Sequence, residues 1–444
     1  MKTLIRNARI VSDGDSREGD LLIDGERIAR IGGSIDGAGV NREIDAHGRW
    51  LLPGMIDDQV HFREPGLTHK GDFATESAAA VAGGITSFME MPNSNPTTTT
   101  REALRDKYQR AEGRAHANFA FYFGASNDNI EEIRALPAGE ACGLKIFMGA
   151  STGNMLVDDP QTLEAIFATF PGLIATHCED TPTIKAHEEH FAKRYGEDIP
   201  FSAHPLIRSA EACYKSTELA VGLARRHGSR LHVLHMTTAR ELDFFEPGPV
   251  TGKQITAEAC VHHLWYSDAD YDALGARIKC NPAIKTAEDR AALRAAVADG
   301  RLNIIATDHA PHTVDEKNRP YLKAAAGLPL VQHAVLVVLE LVRQGHFDLA
   351  TAVERMSHAP AERFGVQERG HIAEGQFADL MLVNPDHHTD VMPEGLLSKC
   401  GWSSFEGVSF SHHIDATFVN GFQAWNGQQV AERAAGQRLR FATA

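Results

Sequence analysis

The chain has 444 residues, of which 43% are hydrophobic and 23% are charged, and a formal net charge of −15 at pH 7. This composition excludes a disordered chain, and the length suits a large barrel with a second, smaller unit. The negative charge disfavours nucleic acid or an anionic membrane as the main partner. We therefore expect the partner to be a small molecule.

Cysteine usage and the character of the N-terminus predict where the protein works. The six cysteines include no CxxC pair, so a disulfide framework is not expected. The first twenty residues lack the apolar core and cleavage site of a signal peptide, and no later run approaches the roughly 20 apolar residues of a membrane span. We expect a cytoplasmic protein without a membrane partner.

Both ends of the chain predict short β-strands. The first fifty residues contain TLIRNARIV, DLLIDGERIARIG and REIDAHGRWLLPG, separated by DG and GG turns. The runs GHIAEGQFADLMLVNP and IDATFVNGFQAWNGQQV repeat this pattern near the other end. Because chain termini often lie close together, we expect residues 1–52 and 366–444 to form one small β-domain.

The middle of the chain, residues 53–365, alternates strands and helices. The predicted strands are GMIDDQVHF, ITSFMEM, NFAFYFGA, GLKIFMGA, LIATHCE, LHVLHMTT, ITAEACVHH and LNIIATDHAPH. Helix-like segments such as TLEAIFATF, STELAVGLARRHG and AEDRAALRAAVADG lie between them. This order predicts an α/β protein with a TIM-type (β/α)8 barrel, and the lack of a GxGxxG sequence disfavours a doubly wound sheet.

Residues of the metal-ligand type stand near the ends of the predicted strands, where the loops of a barrel form its open face. They are His61, Lys145, His177, His235 and Asp308, followed by His309 and His312. A single histidine is more often a hydrogen-bonded structural residue. Convergence of several on one rim favours a metal site, and imidazole with carboxylate suits zinc.

Strand alternation sorts histidines that are close together in the chain. His232 and His235 are separated by an odd number of residues, so we expect only one of them to point into the barrel. His235 is the choice, because it is nearer the strand end. The adjacent His262 and His263 are split in the same way, and structural roles are favoured for both.

Two further positions raise questions that the spacing leaves open. Alternation along DDQVHF places Asp57, Gln59 and His61 on one face of a strand. Lys145 lies inside the apolar run GLKIFMG, where an unpaired ammonium group is costly. It needs either an ion pair with a carboxylate or a modification such as carbamylation, which would create an anionic group able to bridge two metal ions.

Nine short sequences mark a family resemblance. They are DDQVHFREPG, MPNSNP, GLKIFMG, ATHCE, LHMTT, EACVHH, NPAI, ATDHAPH and KCGWSSFEG. Each is weak alone, but their order and number make the match specific. Over essentially its whole length the chain resembles the amidohydrolase superfamily and, within it, the dihydroorotases of the longer bacterial type.

This resemblance implies a metal-dependent enzyme that holds one or two zinc ions. His61 and Asp308 would serve one ion, and His177 and His235 would serve the other. Carbamylated Lys145 would bridge the two ions.

The sequence departs from the family at Gln59, which stands where the family has the first histidine of an HxH pair. A neutral amide oxygen is a poorer zinc ligand than imidazole, so the first metal position is expected to be weaker. The implied reaction is the reversible hydrolysis of (S)-dihydroorotate to N-carbamoyl-L-aspartate, in de novo pyrimidine synthesis. Asp308 would take the proton of the attacking water and pass it to the departing nitrogen.

Arg63 favours a substrate that carries a carboxylate, because its planar guanidinium can grip such a group with two hydrogen bonds. By resemblance, Asn93, Asn281, His312 and the backbone of Gly327 would surround the substrate with it. From its residues alone, Asn93 before NP would be a turn residue.

Two other functions remain open. One is a different cyclic amidase, such as an allantoinase or a hydantoinase. The other is a non-catalytic partner of aspartate transcarbamoylase, which Gln59 supports and the retained Lys145, His177, His235 and Asp308 oppose. We also expect a homo-oligomer, either a dimer or a tetramer.

Overall fold

A computed structural model describes residues 1–149 and 154–442 of the protein. The strands in these residues are β1 (Lys2–Ser12), β2 (Asp15–Asp24), β3 (Arg27–Gly32), β4 (Arg42–Asp45), β5 (Trp50–Pro53), β6 (Met55–Val60), β7 (Ile85–Glu90), β8 (Asn118–Phe121), β9 (Phe123–Gly124), β10 (Leu144–Phe147), β11 (Leu173–His177), β12 (Arg230–Val233), β13 (Ile255–Cys260), β14 (Ile304–Ala306), β15 (Leu380–Asn384), β16 (Thr389–Asp390), β17 (Ser409–Phe410), β18 (His413–Val419) and β19 (Phe422–Trp425).

The α-helices of the described residues alternate with the strands of the middle region. They are α1 (Phe73–Ala82), α2 (Arg101–Ala111), α3 (Ile130–Arg134), α4 (Pro160–Thr169), α5 (Thr181–Tyr195), α6 (His204–Ile207), α7 (Ala210–His227), α8 (Val261–Trp265), α9 (Tyr271–Leu274), α10 (Ala287–Asp299), α11 (Val314–Lys317), α12 (Ala334–Arg343), α13 (Leu349–Val353) and α14 (Ala359–Phe364). The three helical segments predicted from the sequence correspond to α4, α7 and α10.

Strands β6 to β14 form a closed parallel barrel, with β8 and β9 as one run interrupted at Tyr122. Parallel pairing runs from β6 through β8 and from β9 through β14. The ring closes between β6 and the chain after β14, where His61 donates its backbone N–H to His309 O at 2.7 Å. All eight predicted strands are present, so the prediction of a (β/α)8 barrel is confirmed.

The barrel strands are buried along their whole length apart from Arg230 and Ile255, as expected when helices cover their outer face. Polar side chains begin the covering helices. Asp72 caps α1 and Ser209 caps α7 by accepting from backbone N–H groups three residues further on. Helix α7 is capped at its C-terminus by Gly228, whose φ of +70° is the left-handed conformation that glycine adopts without strain.

A second sheet of eight strands takes its members from both ends of the chain. Its order is β19-β18-β15-β5-β1-β2-β3, and β4 pairs with β1. Strands β4 and β5 run parallel to β1, whereas β15 pairs antiparallel with β5 and β18. The domain limits 1–52 with 366–444 and 53–365 stay a prediction, and the last two residues of that span lie outside the described ranges.

The C-terminal end of the chain also contacts the barrel. Phe119 in β8 donates its N–H to Gln437 O at 3.0 Å, and Leu439 donates to Phe119 O at 2.9 Å. Within residues 1–149 and 154–442, no helix combines the length and the apolar character that crossing a bilayer requires.

Candidate active site

A cavity of about 390 Å³ opens where the barrel strands end. Its lining residues are Gln59, His61, Arg63, Asn93, Lys145, Phe147, His177, Arg208, His235, Asn281, Asp308, Ala310, His312, Ala325, Ala326 and Gly327. All the site residues expected from the sequence are among them. The carboxyl-terminal face of the strands is where barrel enzymes place their reacting groups.

Four of the predicted ligands form two close pairs. His61 Nε2 lies 3.0 Å from Asp308 Oδ1, and His177 Nδ1 lies 2.9 Å from His235 Nε2. Burial lowers the pKa of His61, His177 and His235, and for His235 the pKa falls well below its usual value. Neutral imidazole is the form that binds a metal ion.

Lys145 is buried in β10, with 1% of its surface exposed. Among residues 1–149 and 154–442, no carboxylate lies within 4.0 Å of its Nζ, which sits 4.6 Å from the ring centre of Phe147. Burial lowers the pKa of Lys145 to about 8, although the carboxylates of Asp308 and Glu258 raise it. Of the two explanations that the sequence left open, an ion pair within the described residues does not occur.

Three residues of the cavity have a left-handed backbone although none is glycine. The φ angles of Arg63, His235 and Asp308 are +73°, +40° and +50°. Such conformations persist only where neighbouring contacts impose them, and they concentrate at functional sites. For His235, one such contact is the hydrogen bond from its N–H to Glu258 Oε1 at 3.1 Å.

The expectation that only one of His232 and His235 points into the barrel is wrong. His235 lines the cavity, and His232 Nε2 lies 3.0 Å from Glu258 Oε2 and 3.3 Å from Asp58 Oδ2, which reaches it across the barrel interior. Strand β12 ends at Val233, so alternation no longer applies at His235. The positive φ of that residue turns its side chain inward.

The placement of Asp57 on the face of Gln59 and His61 is also wrong. Asp57 accepts hydrogen bonds from Thr307 N at 3.1 Å and Thr307 Oγ1 at 2.6 Å, and it does not line the cavity. The register of β6 against β7 shifts between Asp57 and Val60. This irregularity breaks the two-residue period that the prediction assumed.

The predicted substrate residues line the wall beside Asp308. Arg63 Nε donates to Pro311 O at 3.0 Å, and its Nη2 lies 3.0 Å from His312 Nε2. Burial lowers the pKa of Arg63 to about 10, so the guanidinium remains charged at neutral pH. At Gly327, where φ is +142°, a Cβ atom would lie 2.5 Å from Ala310 O, so this wall has room only for glycine.

The family model for the amidohydrolase family matches residues 50–424. The chain belongs to the amidohydrolase family. It is 33% identical over 439 residues to a dihydroorotase of Halobacterium salinarum, with 96% of this chain and 97% of that protein covered. It is 31% identical over 449 residues to an allantoinase of Solibacter usitatus, with 98% and 96% covered.

Solved structures of related enzymes have the same fold. L-hydantoinase from Arthrobacter aurescens superimposes with a TM-score of 0.92 at 27% identity, and the match covers 99% of each chain. The expected family and the expected enzymatic character are confirmed: the protein is a cyclic amidohydrolase. Its relatives carry both dihydroorotase and allantoinase names at similar identity, so they leave the substrate open.

The donor atoms of this amidohydrolase fit a divalent metal ion at the pair of His177 and His235. His177 Nε2 lies 2.9 Å from the carboxylate of Glu179, so it carries the proton and leaves Nδ1 as a lone pair towards His235. Buried His235 Nδ1 has no hydrogen-bond partner within the described ranges. Two neutral imidazoles that converge beside a buried lysine form a donor set suited to zinc.

The sequence interpretation missed Arg208 and Glu179. Arg208 lines the cavity just after α6, and it donates through Nη1 to the buried carboxylate of Glu179. Arg208 lies far along the connection between β11 and β12, away from a strand end, so the rule that located the other residues did not apply. Glu179 stands two residues after His177, a spacing that does signal a partner for that histidine.

Proposed function

We propose that this amidohydrolase is a dihydroorotase, which interconverts (S)-dihydroorotate and N-carbamoyl-L-aspartate in pyrimidine synthesis. The observation that carries the proposal is Arg63, a charged guanidinium with 8% of its surface exposed, on the cavity wall beside Asp308. A buried cation next to the reacting groups suits a substrate with a carboxylate. Dihydroorotate carries that group on its ring, whereas hydantoin and allantoin do not.

Zinc is the cofactor that we assign to the cavity, with His177, His235 and carbamylated Lys145 as its protein ligands. The lowered pKa of buried Lys145 increases the fraction of its amine that is neutral, the form that carbamylation requires, and the product is an anion that a cation stabilises. When bound, such an ion supplies Lewis-acid polarisation of a carbonyl and a water of lowered pKa.

The protein groups would perform the remaining work. Arg63 would pair with the substrate carboxylate, and Asn93, Asn281 and His312 would orient the ring by hydrogen bonds. Asp308 would accept a proton from the attacking water and deliver it to the ring nitrogen as the carbon–nitrogen bond breaks. In the reverse direction the same carboxyl group would protonate the departing hydroxyl as the ring closes.

A substrate panel tests the proposal. Purified enzyme supplied with zinc and bicarbonate should cyclise N-carbamoyl-L-aspartate, and its kcat/KM for dihydroorotate should exceed those for allantoin and hydantoin. Turnover of allantoin at a comparable rate would favour allantoinase, the function that the Solibacter usitatus relative supports. Zinc-loaded protein without activity on dihydroorotate or carbamoyl-aspartate would overturn the proposal.

The Arg63→Met variant tests the role of the guanidinium directly. Loss of a charge-assisted pair should raise KM for dihydroorotate about 10- to 100-fold, with a smaller change in kcat. Arg63→Lys is the matched control, since it keeps the charge and loses the planar fork, and its KM should be intermediate. An unchanged KM in Arg63→Met would remove this residue from the carboxylate site.

A further inference from the structure

Gln59 stands in the cavity wall between Asp308 and a thiol. Its Nε2 lies 3.2 Å from Asp308 Oδ1, and its Oε1 lies 3.7 Å from Cys260 Sγ. The side chain is buried, with 1% of its surface exposed, and so is Cys260. Both ends of the amide therefore face protein groups.

The chemistry of these neighbours fixes which way the amide points. A carboxylate oxygen accepts hydrogen bonds, so it favours the NH2 group of Gln59. The thiol of Cys260 is a weak donor, so it favours the amide oxygen. Rotation of the amide by 180° would place two oxygens 3.2 Å apart beside Asp308 and would exchange the S–H···O contact for a poor one.

An amide held in this way presents no lone pair to a cation beside Asp308. Its oxygen, the only metal-ligating atom of a glutamine, is directed at Cys260. The metal position at His61 and Asp308 thus keeps two metal-ligating side chains. In place of a third ligand it has the N–H group of Gln59. The position of His177 and His235 has its donors intact, with Lys145 nearby.

We propose that Gln59 replaces a metal ion by donating a hydrogen bond to Asp308, so that the cavity holds a single divalent ion at His177, His235 and carbamylated Lys145. This inference rests on the proposed function, because it assigns the state of the same site. Gln59 is a positioning residue: its NH2 group holds Asp308 Oδ1, the oxygen that also lies 3.0 Å from His61 Nε2.

Metal content tests the number and place of the ions. Enzyme prepared with excess zinc and bicarbonate, then freed of loose metal, should contain one zinc per chain by mass spectrometry. His61→Asn should retain that ion, and His177→Asn should lose it. Two ions per chain in the unmodified enzyme, or loss of the ion in His61→Asn, would overturn the proposal.

Gln59→His tests whether the glutamine is what limits the cavity to one ion. The imidazole supplies the missing donor, so this variant should bind two ions per chain. Loaded with Mn²⁺, it should show the exchange-coupled paramagnetic resonance spectrum of a metal pair, whereas the unmodified enzyme should show the spectrum of an isolated ion. Folded Gln59→His with one uncoupled ion would contradict the role assigned to Gln59.

Gln59→Met is the matched control for the hydrogen bond. Its side chain has similar length and no N–H group, so it should keep one ion per chain while kcat falls about tenfold and KM changes little. Full kcat in this variant would overturn the positioning role. The metal counts do not depend on the substrate, so one ion at His177 without turnover of dihydroorotate would leave this inference standing and remove the proposed function.

Discussion

Glu179 accepts a hydrogen bond from His177 Nε2 at 2.9 Å, and the carboxylate is completely buried. Burial raises the pKa of Glu179, but the charge of Arg208 and the hydrogen bond from His177 outweigh it and hold the pKa at about 2. Glu179 is therefore an anion at neutral pH. It fixes the tautomer of His177 so that Nδ1 faces His235 as a lone pair.

Replacement of Glu179 should weaken metal binding. In Glu179→Ala the imidazole is free to rotate and to change tautomer, so zinc affinity should fall about 10- to 100-fold, as is usual when such a carboxylate partner is lost. Competition with a chromogenic chelator measures this affinity. The control is Glu189→Ala, an exposed residue of the adjacent helix α5, which should bind zinc as the unmodified enzyme does. Equal affinities in the two variants would show that Glu179 does not orient His177.

Lys317 holds the loop that forms the wall at Gly327. The buried ammonium donates to Ala325 O and Gly327 O at 2.9 Å and to Lys279 O at 3.1 Å. Three carbonyl oxygens, which have few other hydrogen-bond donors to accept from, converge on this one ammonium group. Since Ala325 and Gly327 line the cavity, this side chain connects the stability of the loop to the shape of the substrate wall.

Lys317→Met should loosen that wall. The variant leaves buried carbonyl groups without a donor, each costing on the order of 1–3 kcal/mol, so the loop should rearrange and KM should rise about tenfold with little change in kcat. Lys323→Met is the control, because the side chain of this neighbouring lysine is 65% exposed and pairs with exposed Glu197. Steady-state kinetics with unchanged KM in Lys317→Met would show that the loop does not depend on the ammonium.

The barrel and most of the cavity were predictable because their signal is local. His61, His177 and Asp308 stand at or just after the ends of predicted strands, at the open face of the barrel, so strand order alone brings them together. The alternation rule for strands failed where the backbone departs from regular strand geometry. The left-handed residue His235 and the irregular strand around Asp57 reversed the expected directions of neighbouring side chains.

Contacts between segments that are far apart in the chain could not be predicted from the sequence. The amide of Gln59 is oriented by Asp308 and Cys260, which lie 249 and 201 residues away in the chain, and no spacing rule relates them to Gln59. The sequence identified Gln59 as an altered ligand. Its two neighbours in space assign the direction of its amide, and this changes the interpretation from a weak ligand to a hydrogen-bond donor.

Glu340 couples helix α12 to the strand region that follows β17. Its Oε1 accepts from Arg343 Nε at 2.8 Å, and its Oε2 accepts from Ser411 N at 3.2 Å. Burial raises the pKa of this carboxyl group, but these hydrogen bonds and the charge of Arg343 outweigh it, so the pKa lies below the usual value. Ionised Glu340 therefore stabilises the folded state above the unfolded pKa of about 4.3, and this contribution is lost as the pH falls through the lower folded pKa.

Glu340→Gln should remove that pH dependence. We expect a loss of about 1 kcal/mol at pH 7, and a difference from the unmodified protein that shrinks as the pH falls through the lowered folded pKa of Glu340, because the carboxyl group then becomes neutral like the amide. Urea unfolding at several pH values measures it. Glu102→Gln, on the exposed face of α2, should show little difference at either pH. If the stability lost in Glu340→Gln instead grows as the pH falls, the ionised carboxyl group is not what stabilises the folded state.

Asp379 joins the two sheets through buried hydrogen bonds. It accepts from Arg369 Nη1, from Asn118 Nδ2 in β8 of the barrel at 3.0 Å, and from Asn420 N beside β18 at 2.7 Å. The side chains of Arg369 and Asp379 are only 4% and 3% exposed. Removal of one partner from such a pair leaves an uncompensated buried charge.

Asp379→Ala should therefore destabilise the protein by about 3–5 kcal/mol, the usual cost of breaking a buried ion pair. Asp24→Ala is the control, because its pair with Lys2 spans 3.6 Å with side chains about half exposed, and its loss should cost less than about 1 kcal/mol. The double variant Arg369→Met/Asp379→Leu should recover part of the stability, since no charge is left unpaired although Asn118 Nδ2 and Asn420 N lose their acceptor. Urea unfolding measures the free energy of unfolding of each variant. If the double variant is less stable than Asp379→Ala by as much as the Arg369→Met change costs alone, the two side chains act independently and the buried pair is not what joins the sheets.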